Sequence, residues 1–207
     1  MTVRWPADPS HIVQAAERLR AGAVIAFPTD TLYGVGARAA DPAAVARLYH
    51  VKRRPSEQPM VWLVTDRAQV EQFAVVSAAA TALMARHWPG PLTLVLPARI
   101  PTDGPTIAVR APDHEVALAL LRALGEPIAS SSANPAGQPP PVDADQVITG
   151  LGDALDLVLD AGPCRVGQPS TILDLSGATP RILRQGAIPA AALLSPSISR
   201  GGQGGGV

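Results

Sequence analysis

Short runs of aliphatic and β-branched residues alternate with stretches of helical periodicity along nearly the whole chain. This alternation restricts the fold more than any other feature. The spacing predicts a first helix opened by Pro9-Ser10, with Ile12, Ala15, Ala16 and Leu19 on one face and Gly22 closing it. Val24-Ile25-Ala26-Phe27 reads as a strand that ends in a loop, Pro28-Thr29-Asp30-Thr31-Leu32-Tyr33-Gly34-Val35-Gly36. Asp41-Pro42 combines an N-cap with a first-turn proline, and the helix it starts delivers Lys52-Arg53-Arg54-Pro55 at its C-terminal end, where cations suit the helix dipole. Met60 to Val64 reads as a buried strand, Asp66 as the cap of a short helix, and Ser77 to His87 as a further helix. The rigid turn Trp88-Pro89-Gly90-Pro91 feeds a strand over Leu92 to Leu96. A strand at Thr106 to Arg110, a helix at Glu115 to Leu124 stopped by Gly125, and a strand at Ile128 to Ser131 follow. The polar loop Ser132 to Pro141 leads to a helix opened by Asp143, and the last strands fall at Leu157 to Leu159, Thr171 to Leu175 and Arg181 to Leu183. The expectation is an α/β fold, a twisted mixed sheet flanked by helices, in one domain over residues 1–194. The Gly- and Ser-rich residues 195–207 read as a disordered tail.

Composition narrows the function classes. Lys+Arg equals Asp+Glu at 17 each, so the formal charge is zero, which argues against a broad nucleic-acid-binding face while permitting a local basic groove. Aromatic residues are only 3%, too few for a single-strand stacking platform. The one cysteine, Cys164, excludes an internal disulfide and a cysteine-based zinc site, and reads as a buried or half-buried small residue rather than a reactive thiol. The N-terminus lacks the pattern of a signal peptide and no apolar run reaches the ~20 residues of a membrane helix, so a cytoplasmic protein is expected. His11, His50, His87 and His114 are scattered without ligand spacing, so no metal site is expected.

Polar residues gather where the predicted strands end, the places where open α/β sheets bind ligands. Thr29, Asp30 and Thr31 with Gly34 and Gly36 offer hydroxyls and amides suited to a carboxylate or phosphate, or form a plain turn. The stretch is neither a Walker loop nor a dinucleotide fingerprint. Lys52, Arg54 and Ser56 suit a triphosphate if Pro55 turns the chain so that Lys52 and Arg54 face the same way; otherwise they are a solvated helix end. Ser130-Ser131-Ser132-Ala133-Asn134 puts three hydroxyls and an amide on a strand that should be apolar, which is costly unless something bonds them. Ser170, Thr171 and Arg184 make a fourth cluster together with Arg110, which reads either as a carboxylate clamp or as an ion pair with Asp113 or Glu115.

Taken in order, these motifs resemble the YrdC-type threonylcarbamoyl-AMP synthases. The matching stretches are Pro28 to Gly34, Lys52 to Pro55, Trp88 to Thr93, Val109 to Pro112, Ser132-Ala133-Asn134 with Gly137, Ser170 to Ile172, and Leu183 to Gly186, from about residue 28 to residue 186. The resemblance implies a deep, basic concave groove and a reaction. L-threonine and bicarbonate give an N-carboxy adduct whose carboxylate attacks the α-phosphorus of ATP, releasing pyrophosphate. This is the first step of threonylcarbamoyladenosine modification of tRNA. It implies that Thr29, Arg110, Ser130 and Ser170 hold threonine, and that Lys52, Ser56, Thr106, Ser132, Asn134, Pro140 and Arg184 line the ATP site. Lys52 and Arg54 are the catalytic candidates, with Arg54 stabilising the charge that develops on transfer. Mg²⁺ is expected with the triphosphate. A downstream threonylcarbamoyl transferase complex is the implied partner.

Some family members carry a histidine in the strand after the basic cluster; Val61-Trp62-Leu63 stands there in this chain. Larger members add a C-terminal domain through a linker, whereas the Gly-rich end here resembles the single-domain form. Two other readings are a paralogue with altered chemistry and a double-stranded RNA-binding module acting in tRNA or ribosome maturation.

Overall fold

The computed structural model describes residues 2–55, 58–100 and 104–194; Ser56 and the proposed tail at 195–207 lie outside the described residues. Ten strands form one mixed sheet: β1 (Arg4–Pro6), β2 (Ile25–Phe27), β3 (Gly34–Arg38), β4 (Val61–Leu63), β5 (Leu92–Pro97), β6 (Thr106–Arg110), β7 (Ile128–Ser132), β8 (Leu157–Asp160), β9 (Thr171–Asp174) and β10 (Arg181–Arg184). Their order across the sheet is β1-β8-β2-β3-β7-β4-β6-β5-β9-β10. The helices are α1 (Pro9–Arg20), α2 (Pro42–Lys52), α3 (Arg67–Val70), α4 (Ala78–His87), α5 (Glu115–Leu124), α6 (Ala144–Leu151) and α7 (Ala190–Leu193).

Local chemistry sets the helix boundaries. The carboxylates of Asp8, Asp41, Asp66 and Asp143 and the hydroxyl of Ser77 each accept a backbone N–H in the first turn of the following helix. Gly125 ends α5 in the left-handed region at φ 77°. The α1 face is the expected one: Ile12, Ala15, Ala16 and Leu19 are buried. Two strands escape the sequence reading. Arg4–Pro6 forms the edge strand β1, and Gly34 and Gly36 lie in β3 rather than in a loop.

The glycines of β3 answer a packing demand. β3 is hydrogen-bonded on one side to β2 and on the other to β7, with Gly36 opposite Ile25 and Ser130. A Cβ on Gly36 would stand 2.5 Å from Ile128 Cγ2 and 2.9 Å from the Ala129 carbonyl oxygen. Gly36→Ala is therefore expected to cost about 1–3 kcal/mol in chemical denaturation, since neither neighbour can yield without moving the sheet.

The two faces of the sheet are covered unequally. On one face α2 and α6 pack over Val24, Ala26, Val35, Ala37 and Val158, and α3, α4 and α7 pack over Leu92, Leu94, Ile107, Val109 and Leu173. On the other face α1 and α5 pack over Ile25, Phe27, Ile128, Leu157 and Leu159. The rest of that face, on β4 to β7, β9 and β10, forms the floor of a cavity. Among the described residues no helix is long and apolar enough to cross a membrane.

Candidate functional site

Side chains alternate across a strand, so residues two apart share a face and registered neighbours form rows. Ser130, Val61, Ala108 and Val95 are successive partners across β7, β4, β6 and β5. Thr93, Ile172 and Arg184 are successive partners across β5, β9 and β10. All seven line a cavity of about 690 Å³, with Thr29, Arg54, Arg110, Ser132, Asn134, Pro140 and Ser170 among its other walls. Its middle is apolar, its ends carry hydroxyls and three arginines, and no carboxylate is found among its described lining residues. A smaller cavity of about 230 Å³, behind Trp88 and Pro89, contains none of the predicted residues.

Arg110 closes one end. It sits at the end of β6, almost fully buried, and each of its nitrogens is engaged. Nε donates to the Gly90 carbonyl at 3.0 Å, Nη1 to Thr31 Oγ1 at 2.8 Å, and Nη2 to Asp30 Oδ1. The Trp88-to-Pro91 turn thus has a task, to present the Gly90 carbonyl. A Cβ on Gly90 would lie 2.4 Å from the His87 carbonyl oxygen, which admits only glycine there. Burial lowers the Arg110 pKa, opposed by the Asp30 charge, with Arg184 a further depressing charge. Arg110 pairs with neither Asp113 nor Glu115, the partners open in the sequence: Asp113 is bonded to Arg165, and Asp30 takes the guanidinium. Thr29 stands beside it, its hydroxyl donating to the Leu32 carbonyl at 2.6 Å and accepting from the amides of Thr31 and Leu32.

Along the same wall, the Ser170 hydroxyl lies 2.8 Å from Thr93 Oγ1, and Arg184 donates from Nε and Nη2 to the Ser170 carbonyl. Ser130 donates to the Val35 carbonyl at 3.1 Å. The buried Ser130 hydroxyl that looked costly in the sequence is therefore satisfied by backbone, while Ser131 and Ser132 beside it are only half-buried.

At the other end the basic cluster divides. Arg53 adopts the left-handed region at φ 51°, and this residue, not Pro55, turns the chain out of α2. Lys52 and Arg54 consequently point to different places. Arg54 reaches the cavity wall, with Nε donating to the Gln58 carbonyl at 2.9 Å and Nη2 to the Pro59 carbonyl at 3.2 Å. Lys52 is buried behind the wall, its ammonium donating to the carbonyls of Ser132 and Asn134. Burial, and then the charge of Arg54, push its pKa down to about 8. The same turn is held from within by Asn134, whose Nδ2 donates to the carbonyls of Pro135 at 3.0 Å and Gln138 at 2.7 Å. Both amide protons are thereby used, so Asn134 has none left for a phosphate.

The Lys52 geometry has a pH consequence. Its folded pKa lies below its unfolded value, so the unfolded chain binds more protons between about pH 8 and the ordinary lysine range near 10.5. This group's contribution to stability is therefore at its lowest below pH 8 and rises with pH through that window. Thermal melts of the wild type and Lys52→Met across it are expected to show the rise in the difference between the two; parallel curves would place the ammonium in water.

The cavity brings together Thr29, Arg54, Arg110, Ser130, Ser132, Asn134, Pro140, Ser170 and Arg184 from the predicted set. Lys52 is not on its wall, and Thr106 opens β6 on the cavity-facing side but outside the lining. Ser132 closes β7 rather than starting the loop. Thr93, Ser131 and Asp30 were assigned no individual role from the sequence, although Asp30 and Ser131 lie in polar loops singled out there. For Thr93 the signal was a lone hydroxyl in the run Leu92 to Leu96; for Asp30 it was an acid beside an arginine-bearing strand end, visible only once the two loops meet. Cys164 is half-buried, as expected, and burial pushes its thiol up to about 11.

Known proteins resemble this chain in sequence and fold. The family model Sua5_yciO_yrdC, described as telomere recombination, matches residues 17–186. A threonylcarbamoyl-AMP synthase of Bacillus subtilis (strain 168) is 42% identical over 189 residues, covering 87% of this chain and 54% of that protein. A putative threonylcarbamoyl-AMP synthase of Mycobacterium tuberculosis (strain ATCC 25618 / H37Rv) is 42% identical over 194 residues, covering 88% of each. The crystal structure of P. abyssi Sua5 complexed with L-threonine superposes with a TM-score of 0.88 at 37% identity, covering 93% of this chain and 60% of that one. E. coli YciO superposes with a TM-score of 0.83 at 28% identity, covering 93% and 97%. The chain spans about half the length of the B. subtilis relative. With the family model matching residues 17–186 and relatives 42% identical over most of the chain, the chain belongs to the Sua5/YciO/YrdC family.

Proposed function

We propose that the chain makes threonylcarbamoyl-AMP from L-threonine, bicarbonate and ATP with release of pyrophosphate, a nucleotidyl transfer that begins threonylcarbamoyladenosine modification of tRNA. The observation that carries this reading is the convergence of strand ends far apart in sequence on one cavity of about 690 Å³, in the size range of small-molecule sites. The relatives named for this synthesis and the threonine-bound neighbour support it.

The geometry suits the chemistry. Threonine would sit at the Arg110 end, its carboxylate on the guanidinium and its polar groups near Thr29, Ser130 and Ser170. ATP would run toward Ser132, Pro140, Arg54 and Arg184. The threonine amine adds to bicarbonate with loss of water. A carboxylate oxygen of the adduct then forms a bond to the α-phosphorus as the bond from that phosphorus to the pyrophosphate oxygen breaks. The protein's share is to hold two anions against their repulsion and to meet the growing charge with cations. Arg54 and Arg184 are those cations, close enough that Arg54, after burial, lowers the Arg184 pKa. Lys52 acts from behind, holding the turn from Ser132 to Gln138 together with Asn134. Ser56 and Thr106 remain candidates for the nucleotide end.

Among the described residues no group of three His, Cys, Asp or Glu could hold a metal ion. Mg²⁺ would come with the triphosphate, supplying charge neutralisation there. The arginines face into a pocket rather than along an outer face, which favours a small-molecule substrate over a duplex RNA. The test is pyrophosphate release with each substrate omitted in turn. Release that needs threonine, bicarbonate and ATP together is expected; release without threonine removes the assignment.

A further inference from the structure

Resting on that reading, we infer that Asp30 sets the orientation and charge of the amino-acid clamp, and that it makes Arg110 a seat for a single carboxylate rather than for a polyphosphate.

Asp30 is 1% exposed and is not part of the cavity wall, so it acts through Arg110 and is a positioning residue. Its Oδ1 accepts from Arg110 Nη2 and, at 3.1 Å, from the Asp113 amide. Its own carbonyl accepts from the Val166 amide at 2.8 Å, and the neighbouring Thr31 carbonyl from the Gly167 amide at 3.0 Å. The buried carboxylate thereby joins the loop after β2 to the end of β6 and the turn that follows it, while the backbone carbonyls of Asp30 and Thr31 tie in the loop before β9. With the Gly90 carbonyl and Thr31 Oγ1 occupying the other two nitrogens, the guanidinium has a single orientation, and one N–H on each terminal nitrogen remains for a ligand. A clamp fixed in advance loses little side-chain freedom when the ligand arrives.

Charge is the second consequence. Among the described residues, Arg110 is the one cavity arginine paired with a carboxylate; Arg54 and Arg184 donate to carbonyls and hydroxyls instead. The Asp30–Arg110 pair is neutral overall, so it holds an anion by aimed N–H groups at short range. A polyanion gains more at Arg54 and Arg184. The two anionic substrates are sorted along the cavity by where a compensating acid is placed.

Asp30→Ala and the isosteric Asp30→Asn test this. L-threonine, L-threoninol (no carboxylate) and ATP affinities are measured by calorimetry, with tripolyphosphate as competitor against threonine. The expected result is threonine binding about 10-fold weaker in Asp30→Ala and about 3-fold weaker in Asp30→Asn. Threoninol and ATP should stay within 2-fold, and tripolyphosphate should displace threonine more effectively from Asp30→Asn than from the wild type. If Asp30→Ala does not fold, Asp30→Asn decides alone. Threonine affinity within 2-fold of wild type in the folded variants overturns the inference. So does an equal loss for threonine and threoninol, which marks a merely structural residue, or unchanged competition by tripolyphosphate. A wild type that binds no threonine at all fails the underlying functional reading instead.

Discussion

Arg110→Met is expected to lower threonine-dependent pyrophosphate release steeply and to lower stability at the same time. The guanidinium is buried with Asp30 and its removal leaves an unpaired carboxylate in the interior, a loss of about 3–5 kcal/mol. Loss of a charged, aimed contact to the substrate is expected to lower kcat/KM for threonine about 10²–10³-fold. The two effects separate in the double variant Asp30→Leu/Arg110→Met. Replacing a buried ion pair by apolar side chains is often close to neutral, so most of the stability should return, while threonine use should not. Turnover restored along with stability would reduce Arg110 to a structural role.

Arg54→Ala is expected to fall nearly as far in turnover with little change in melting temperature. Among the described residues the side chain bonds to the exposed-loop carbonyls of Gln58 and Pro59 and, at 3.5 Å, to Ser131 Oγ, groups that water can satisfy once it is gone. If it meets charge that grows only as pyrophosphate departs, kcat and kcat/KM for ATP should drop together, by about 10²–10³-fold. Arg54→Lys should not rescue, because an ammonium cannot reproduce the planar fork held by those carbonyls. Wild-type turnover in Arg54→Ala would remove the assignment.

The periodic segments were legible because their signals are local. Asp41-Pro42 starts a helix wherever it is placed, and α5 ends at Gly125 because the left-handed turn there suits a residue without Cβ. β3 was misread for the opposite reason. Gly34 and Gly36 carry no strand preference, and the need for glycine is set by tertiary neighbours: a Cβ on Gly36 would run into the Ile128 methyl and the Ala129 carbonyl, and one on Gly34 would crowd the Ser130 hydroxyl. β1 was missed because Arg4, Trp5 and Pro6 show no alternation and gain their pairing only from β8. The same division runs through the cavity. Thr29, Arg110, Ser130, Ser170 and Arg184 stood out as polar residues at strand ends. Lys52 stood out too, but its charge faces inward to two carbonyls because Arg53 turns the chain between it and Arg54.

Sequence alone settled most of the elements other than β1 and β3, their caps and the polar strand ends, because each depends on contacts within a few residues. Only the tertiary structure decided which strands are neighbours, which cations enter the cavity and which are spent on holding its walls, and that Asp30 compensates Arg110. Those outcomes depend on atoms some 80 positions apart in the chain being brought within hydrogen-bonding distance. No local preference encodes such a meeting; it follows from burying the faces of the whole sheet at once.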